Sequence, residues 1–271
     1  NIGLVIERRL SLLSPLNLNT RIEVEPSLLV TEEERKIVAK LFNDFKLDTT
    51  KKTVMISIVG SRLNKTYPLN YMARVIDLIA AKVDANILFN YIPKQRELAK
   101  KVYNYCSEET KKNIYFDLLG KDLREFITIM DACDFIVGND GGAINMSKAL
   151  KKPSFTIFSP WIEKRFWSTF EDGKLHSSVH LLDYQPQLIE GRKKKQLKNQ
   201  SIELYQHLKP SYFESKLLQF IDYNLNEEKP LPIPTDFNQV FALHKEFPLS
   251  AVIITYNEEE HIEKCLASLV G

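Results

Sequence analysis

The chain has 271 residues, which is enough for one large or two modest domains with a buried core. Its 44% hydrophobic and 27% charged residues are ordinary for a soluble globular protein. The formal net charge of +2 is too small to indicate a nucleic-acid partner, and none is predicted.

The three cysteines lie far apart, at positions 106, 133 and 265. Their spacing fits neither a disulfide framework nor a metal site, so we predict a reduced, cytoplasmic protein without a metal or a cofactor. No apolar run approaches the roughly 20 residues that a membrane span requires, and no signal peptide is recognised. Because the chain starts with Asn rather than Met and stops just after a helical pattern, we expect a piece of a longer protein.

From residue 53 onward the hydrophobic pattern predicts alternating strands and helices. We place strands at residues 53–59, 86–91, 114–118, 135–137 and 154–158, and helices at residues 71–81, 94–106, 123–133, 143–150 and 210–225. Strands this apolar, separated by single helices, predict an α/β fold whose parallel sheet is covered by helices on both faces. Ligands of such sheets bind at the carboxyl ends of the strands, where the turns after Val59 and Val137 lie.

A helix is also predicted to begin at Thr31, since T-E-E-E forms a capping box in which Glu34 reaches back to the cap. Its apolar side chains are expected on one face: Ile37, Val38, Leu41, Phe42 and Phe45.

The stretch from Phe135 to Lys148, F-I-V-G-N-D-G-G-A-I-N-M-S-K, predicts a buried strand, a polar turn and a helix that starts near residue 143. The turn contains three residues that are free to adopt positive φ and to let a ligand approach the main chain: Gly138, Gly141 and Gly142. The first N–H groups of the helix would attract an anion, while Asp140 is better suited to accept hydrogen bonds from sugar hydroxyls. The alternative is a helix capped by Asn139 or Asp140 without any ligand.

A second candidate ligand loop, G-S-R-L-N-K-T-Y-P, runs from Gly60 to Pro68. Ser61 offers a hydroxyl and a main-chain N–H, and Lys65 offers a mobile charge that suits a phosphate. The spacing of Arg62 and Lys65 allows either of them to lie in solvent, as a lone loop lysine usually does. The position of Lys65, in the loop directly after a buried parallel strand, favours a binding role for this lysine.

The segment G-R-K-K-K-Q-L-K at residues 191–198 predicts a solvated basic loop, with contact to anionic lipid or phosphate as the alternative. Residues 227–248 contain prolines at positions 230, 232 and 234. This proline spacing predicts a stiff linker. A strand at Leu249–Thr255 and a helix at Glu258–Leu269 come next, which together predict the opening βα unit of a second domain at residues 249–271.

Several of these features occur together in the heptosyltransferases, glycosyltransferase family nine, and the chain resembles the C-terminal domain of that family. The matching segments are the G-S-R-x-x-K-x-Y-P loop, L-L-G-K-D-L-R-E at residues 118–125, and V-G-N-D-G-G-A-I-N-M-S-K-A-L with the K-K-P strand after it. The resemblance covers about residues 5–170. It implies that residues 31–226 form a Rossmann-like, nucleotide-sugar-binding domain, half of a two-domain GT-B fold. Residues 1–30 would then be a remnant of the N-terminal domain or a connection from it.

The resemblance further implies an inverting glycosyltransferase. Its donor would be a nucleoside-diphosphate sugar similar to ADP-heptose, and its acceptor a lipopolysaccharide core or a related lipid-linked glycan. Peripheral contact with the inner membrane is left open. In such a site Ser61 and Lys65 would hold the diphosphate, while three residues would contact the donor sugar and phosphates: Asp140, Gly141 and Gly142. The donor-binding set is completed by Arg62, Gln95 and Asn145.

Two positions depart from the family pattern. The family usually carries His where this chain has Asn145 and Glu where it has Gln95, and neither replacement can carry a charge near neutral pH. Donor identity and activity are therefore open. The family's catalytic base lies in its N-terminal domain, so no residue of this chain is predicted as the base and the chain alone is expected to be inactive.

The tail, F-P-L-S-A-V-I-I-T-Y-N-E-E-E-H-I-E-K-C-L-A-S-L, resembles the first strand and helix of family-two glycosyltransferases of the GT-A class. The resemblance implies a nucleotide-contacting loop made of four residues: Thr255, Tyr256, Asn257 and Glu258. The parent protein would then contain two fused glycosyltransferase modules that suit successive additions to one glycan.

Two rival functions stay open at this stage. One is a non-catalytic carbohydrate- or nucleotide-binding scaffold, degenerate at Asn145 and Gln95, that positions a second transferase. The other is a different Rossmann-like nucleotide enzyme, such as a sugar-nucleotide epimerase.

Overall fold

The structure, a computed structural model, describes residues 7, 10–12 and 25–226. The fold of these residues is built on a sheet of six parallel strands. The strands are β1 (Lys52–Ser57), β2 (Ala85–Asn90), β3 (Ile114–Tyr115), β4 (Phe135–Asn139), β5 (Ser154–Ile157) and β6 (His176–Val179).

Helices precede, connect and follow these strands. They are α1 (Glu32–Asp44), α2 (Leu69–Lys82), α3 (Arg96–Tyr105), α4 (Glu108–Lys111), α5 (Leu123–Ala132), α6 (Gly142–Ala149), α7 (Lys164–Trp167), α8 (Lys194–Asn199), α9 (Ser201–Tyr205) and α10 (Pro210–Asn226). Short 3-10 turns lie at Leu63–Lys65, Pro93–Gln95, Leu181–Asp183 and Pro186–Leu188.

The strand order is β3-β2-β1-β4-β5-β6, so the chain builds outward from β1 in one direction and then returns to the other side of β1 with β4. The loops after β1 and β4 therefore leave the same edge of the sheet in diverging directions. This divergence opens a crevice at the carboxyl ends of the two central strands, where ligands of parallel sheets bind.

Alternate residues of each strand point to opposite faces, and in the two central strands both faces carry apolar residues. In β1, Val54 and Ile56 belong to one core, which also contains residues of α2, α3 and α10, while Met55 belongs to the other, which contains residues of α1, α5 and α6. In β4 the same division separates Phe135 and Val137 from Ile136. The predicted parallel sheet with helices on both faces is confirmed, because strands buried on both sides leave no polar alternation in the sequence.

Some details of the sequence prediction are wrong. Strand β6 was not predicted, because its buried residues Ser177 and Ser178 give no apolar signal although their main chain pairs with β5. Strand β3 ends at Tyr115 rather than at residue 118. Ile37 in α1 and Phe45, directly after this helix, have exposed side chains, because only Val38 and Phe42, one turn apart, turn fully toward the sheet.

The basic segment at residues 191–198 is not wholly a loop, as α8 begins at Lys194. Leu197 is buried and packs this short helix against the domain, while the lysines before and after it are exposed. The predicted linker at residues 227–248 and the predicted second-domain residues 249–271, with Thr255, Tyr256, Asn257 and Glu258, lie outside the described residues.

Gly138 of the central strand β4 packs tightly against the main chain of β1. Gly138 has φ of 140°, a region that side-chain-bearing residues rarely adopt, and it is in register with Ser57 of β1. A Cβ at this position would collide with the Ser57 carbonyl group. The glycine is therefore required by the sheet itself, immediately before the turn that forms the crevice.

We predict that Gly138→Ala destabilises the protein by about 2–5 kcal/mol, because the substitution adds backbone strain and a main-chain collision. Gly142→Ala is the matched control, since a Cβ there meets nothing closer than the Met146 methyl carbon at 3.9 Å, and it should change stability by less than about 1 kcal/mol. Urea unfolding of both variants measures the difference. Equal unfolding midpoints would contradict the steric account of Gly138.

The predicted capping box of α1 is confirmed and is extended by an ion pair. Glu34 accepts the Thr31 N–H at 2.8 Å and two guanidinium N–H groups of Arg124 at 2.7 Å each. The Arg124 hydrogen bond, followed by that from Thr31, lowers the pKa of Glu34 to about 2. The pair joins α1 to α5 on the face of the sheet opposite α10.

We predict that this pair gives the protein a pH-dependent stability. Because the pKa of Glu34 lies below its unfolded value of about 4.3, the stabilisation is complete above about pH 5 and is lost as the pH falls toward 2. Arg124 is half exposed, so solvent screening limits the cost of Glu34→Gln at pH 7 to about 1 kcal/mol. In urea unfolding the gap between Glu34→Gln and wild type should shrink between pH 5 and pH 3. The exposed neighbour Glu33→Gln should show no such convergence, and a constant gap for Glu34→Gln would contradict the prediction.

Candidate functional site

The crevice between β1 and β4 brings together the two loops that the sequence singled out. Lys65, from the loop after β1, and Asp140, directly after β4, form an ion pair with Nζ and Oδ2 3.3 Å apart. Both side chains are largely buried, with 22% of the Lys65 and 10% of the Asp140 side chain exposed. An ammonium group and a carboxylate thus face one another at the point where the strand order reverses.

Asn139, the last residue of β4, locks the two loops together. Its amide oxygen accepts the Tyr67 N–H at 2.7 Å, and its amide nitrogen donates to the Ser57 carbonyl at 2.9 Å. Asn139 is fully buried, so each of these bonds satisfies a group that water cannot reach. One side chain therefore fixes where the loop after β1 ends relative to the loop after β4.

The proposed capping role of Asn139 or Asp140 is wrong. Gly141 occupies the N-cap position of α6, and no side chain caps this helix. The N–H groups of the first turn of α6 are thus not satisfied by a capping side chain. Asn139 and Asp140 instead bind groups on the other side of the crevice: Asn139 binds the main chain at Ser57 and Tyr67, and Asp140 pairs with Lys65.

The tip of the Gly60–Pro68 loop is held by a single carbonyl group. Asn64 O accepts the Ser159 hydroxyl at 2.7 Å, the Ser201 hydroxyl at 2.8 Å and the Trp161 indole N–H at 3.1 Å. Ser159 and Trp161 follow β5, and Ser201 begins α9, so two distant segments support the same loop tip. Sequence reasoning missed these supports, since isolated serines carry no pattern.

The base of the same loop is held by Tyr67. Its side chain is fully buried, and its hydroxyl donates to the Leu208 carbonyl before α10. Burial raises the pKa of Tyr67 well above its usual range, which keeps the phenol neutral and able to donate. Lys65 is therefore carried on a loop that is fixed on both sides of it.

Gln95 supports the beginning of the loop rather than facing open solvent. Its side-chain nitrogen donates to the Gly60 carbonyl at 3.0 Å, and its side-chain oxygen accepts the Ile92 N–H at 3.1 Å. A carboxylate in place of Gln95 could accept the second bond but could not donate the first. Gln95 therefore uses both ends of its amide group to hold the beginning of the loop.

The remaining predicted site residues lie at the mouth of the crevice. Ser61 and Arg62 are exposed on the loop after β1, and Gly142 and Asn145 are exposed on the first turns of α6. Gly141 adopts an extended conformation, with φ of 172°, and therefore does not use positive φ. Of the three glycines in the turn sequence, Gly138 is the one that adopts it.

A buried cation that the sequence did not reveal lies further along α6. The Lys148 ammonium donates to the Thr169 carbonyl at 2.7 Å, and burial lowers the pKa of Lys148. Among the described residues no three His, Cys, Asp or Glu side chains come close enough to form a metal site. Nor does any helix in the described part combine the length and apolarity needed to cross a membrane.

Residues 3–198 match the sequence profile of "Glycosyltransferase family 9 (heptosyltransferase)". The chain belongs to glycosyltransferase family 9. The match extends the expected resemblance from residues 5–170 to most of the described domain. The resemblance of the tail to family-two glycosyltransferases lies outside this match and stays a prediction.

Relatives within the family agree with this assignment. Lipopolysaccharide heptosyltransferase 1 of Campylobacter coli is 31% identical over 130 residues, which make up 46% of this chain and 36% of that protein. The structure of a family 9 glycosyltransferase from Veillonella parvula DSM 2008 superposes with a TM-score of 0.59 at 18% identity, covering 81% of this chain and 61% of that chain. The E. coli ADP-heptose LPS heptosyltransferase II gives a TM-score of 0.50 at 17% identity, covering 68% of this chain and 54% of that chain.

These structural similarities confirm the α/β fold as half of the GT-B architecture of family 9. The chain spans 36% of the length of the Campylobacter relative and 54–61% of the two solved chains.

We predict that Asn139→Asp destabilises the protein by about 2–4 kcal/mol near pH 7, since a buried carboxylate would face the Ser57 carbonyl with no hydrogen to donate. Protonation restores a donor, so the loss should become smaller as the pH falls toward 5. The exposed substitution Asn70→Asp on α2 is the control and should change stability by less than about 0.5 kcal/mol. Urea unfolding at both pH values tests this, and a cost that is equal for the two variants would refute the locking role.

Proposed function

We propose that this domain binds the nucleoside-diphosphate sugar donor of a heptosyltransferase-like enzyme of family 9. The observation that carries the proposal is the Lys65–Asp140 pair at the carboxyl ends of β1 and β4. The pair places a cation and a hydrogen-bond acceptor side by side, which suits a ligand that joins a diphosphate to a polyhydroxylated sugar.

In this proposal Lys65 contacts the diphosphate together with the main chain of Ser61 and the first turn of α6, while Gly141 and Gly142 let the phosphates approach. Without a donor Lys65 is held by Asp140, so binding transfers part of the ammonium's hydrogen bonding to phosphate and frees the carboxylate for sugar hydroxyls. Arg62, Gln95 and Asn145 line or support the mouth of the same crevice. The ion pair is thus the resting state of the binding groups.

The reaction would be an inverting substitution at the anomeric carbon. An acceptor hydroxyl forms the new glycosidic bond, the bond from carbon to the diphosphate oxygen breaks, and that electron pair leaves with the nucleoside diphosphate. Lys65 and the N-terminus of α6 stabilise the charge that develops on the leaving group. The proton of the acceptor would pass to a base in the other half of the GT-B fold.

The names of the relatives support the choice of substrates. One is a lipopolysaccharide heptosyltransferase, and another is named as an ADP-heptose LPS heptosyltransferase. We therefore propose a donor similar to ADP-heptose, and a lipopolysaccharide core or a related lipid-linked glycan as acceptor.

The second candidate function is a binding module without catalysis, and the exposed Asn145 together with Gln95 favours it. Neither side chain can take or give a proton near neutral pH. In that case the donor site would bind nucleotide sugar, while transfer would belong to another module of the parent protein. Binding of the donor is common to both functions and is tested first.

We predict that the full chain binds ADP and that Lys65→Ala weakens binding by about 1–3 kcal/mol, the usual contribution of a charged hydrogen bond. Isothermal titration calorimetry measures both affinities, and urea unfolding verifies that the variant is folded, since Asp140 loses its partner. Lys101→Ala on α3 is the control, because it removes the same charge from an exposed position. Identical ADP affinity in wild type and Lys65→Ala would remove Lys65 from the site, and absence of ADP binding in a folded wild-type chain would refute the proposed function.

A further inference from the structure

The basic segment after β6 ends beside the loop that carries Lys65, and its exposed lysines Lys194 and Lys198 reach the Trp161 ring. Lys194 and Lys198 place their ammonium groups 5.8 Å and 5.3 Å from the centre of the Trp161 ring. Lys65 places its own ammonium 5.6 Å from the same ring. Three cations from two segments far apart in sequence thus gather around one indole, and we name them and Trp161 the lysine–tryptophan cluster.

The arrangement is built into the fold. Lys194 and Lys198 are four residues apart on α8, so they lie on the same side of that helix. Ser201, at the start of α9, donates to Asn64 O and so anchors the end of α8 next to the loop that carries Lys65. The Trp161 indole donates to the same carbonyl, which fixes the plane of its ring.

The charge of the cluster is not balanced. Within the part of the chain that the structure describes, Lys65 is paired with Asp140, whereas neither Lys194 nor Lys198 forms an ion pair with a carboxylate. Like charges four residues apart on a helix repel one another, so Lys194 and Lys198 carry unbalanced positive charge. An anion bound beside these two ammonium groups would relieve the repulsion.

A diphosphate carries more negative charge than a single phosphate, so it balances the positive charge of the cluster better. Asp140 already neutralises Lys65 in the resting site, so that lysine alone supplies little net positive charge to a ligand with several negative charges. The leaving nucleoside diphosphate also gains a terminal phosphate whose second pKa is about 6, so its charge grows by about one unit as the sugar departs. Further cations at this end of the site would stabilise the growing charge.

We propose that Lys194 and Lys198, positioned over Trp161, complete the diphosphate subsite and bind the leaving-group phosphates together with Lys65. The inference rests on the proposed function, since it assigns two further residues to the same donor. The sequence left open that the basic segment contacts phosphate. The inference specifies that contact as one between Lys194 and Lys198 and the diphosphate of the donor.

The test compares two double variants with equal loss of charge. Lys194→Gln/Lys198→Gln should weaken ADP binding by roughly tenfold or more, as expected for the loss of charged hydrogen bonds. Lys193→Gln/Lys195→Gln removes the same charge from neighbouring lysines that do not contact the Trp161 ring, and it should alter ADP affinity by less than about threefold, since charges further from the phosphates are screened by salt. Binding of adenosine, which has no phosphate, should not distinguish the two, and Lys194→Arg/Lys198→Arg should retain most of the affinity.

Tryptophan emission gives an independent measurement. In a Trp167→Phe background Trp161 is the one remaining tryptophan of the chain, so titration with inorganic pyrophosphate reports on its ring directly. The emission should change on binding and the change should be lost in Lys194→Gln/Lys198→Gln. An emission that pyrophosphate leaves unaltered at saturation of a binding-competent protein would overturn the assignment.

The remaining outcomes separate this inference from the function on which it rests. Equal ADP affinity of the two double variants, with Lys65→Ala still impaired, overturns the inference and leaves the proposed function standing. Pyrophosphate binding that needs Lys194 and Lys198 in a chain that does not bind ADP supports an anion subsite and refutes the nucleotide-sugar donor. Loss of binding to phosphatidylglycerol vesicles with unchanged ADP affinity would place these lysines at a lipid surface and overturn the diphosphate assignment.

Discussion

The close approach of β1 and β4 is the constraint on which the site depends. Gly138 allows the two strands to meet without a Cβ between them, and Asn139 immediately uses that proximity to bind the main chain at Ser57 and Tyr67. The loops that diverge from this point cannot move independently, since one buried amide holds both. The packing of β4 against β1 therefore brings Lys65 and Asp140 together. The attraction between the two charged side chains contributes less to the arrangement.

The site residues divide into those that hold the main chain and those that face the crevice. Three side chains hydrogen-bond to main-chain groups of the protein: Asn139, Tyr67 and Gln95. Because these polar side chains are already bonded, they are unavailable to a ligand. Lys65 and Asp140 form a hydrogen-bonded ion pair with each other across the crevice, and a ligand can exchange with that bond. A polar group that is fully satisfied gives rigidity, whereas one that is satisfied by a single exchangeable partner gives binding.

Much of the fold followed from the sequence because parallel strands buried on both faces produce continuous apolar runs, as in V-M-I-S-I-V and D-F-I-V-G. The predicted loops were also placed correctly, since the carboxyl end of a buried strand is a position that topology alone defines. The sequence could not predict contacts between distant segments, because no hydrophobic or motif pattern links their residues. Ser159 and Ser201 give no signal in the chain, although both bind Asn64 O, and the polar residues of β6 conceal a buried strand. The roles of Asn139 and Gln95 likewise depend on which carbonyl group comes within reach, and this is known only once the sheet has formed.

The supports of the Gly60–Pro68 loop span most of the domain in sequence. Ser201 is 137 residues from Asn64, and Leu208, whose carbonyl binds Tyr67, is 141 residues from that tyrosine. Contacts that close such long loops form only after the intervening chain has been ordered. During synthesis the loop therefore lacks these two supports until Leu208 has left the ribosome. A ligand of the crevice cannot guide the early steps of folding, and it adds stability only to a domain that is already complete.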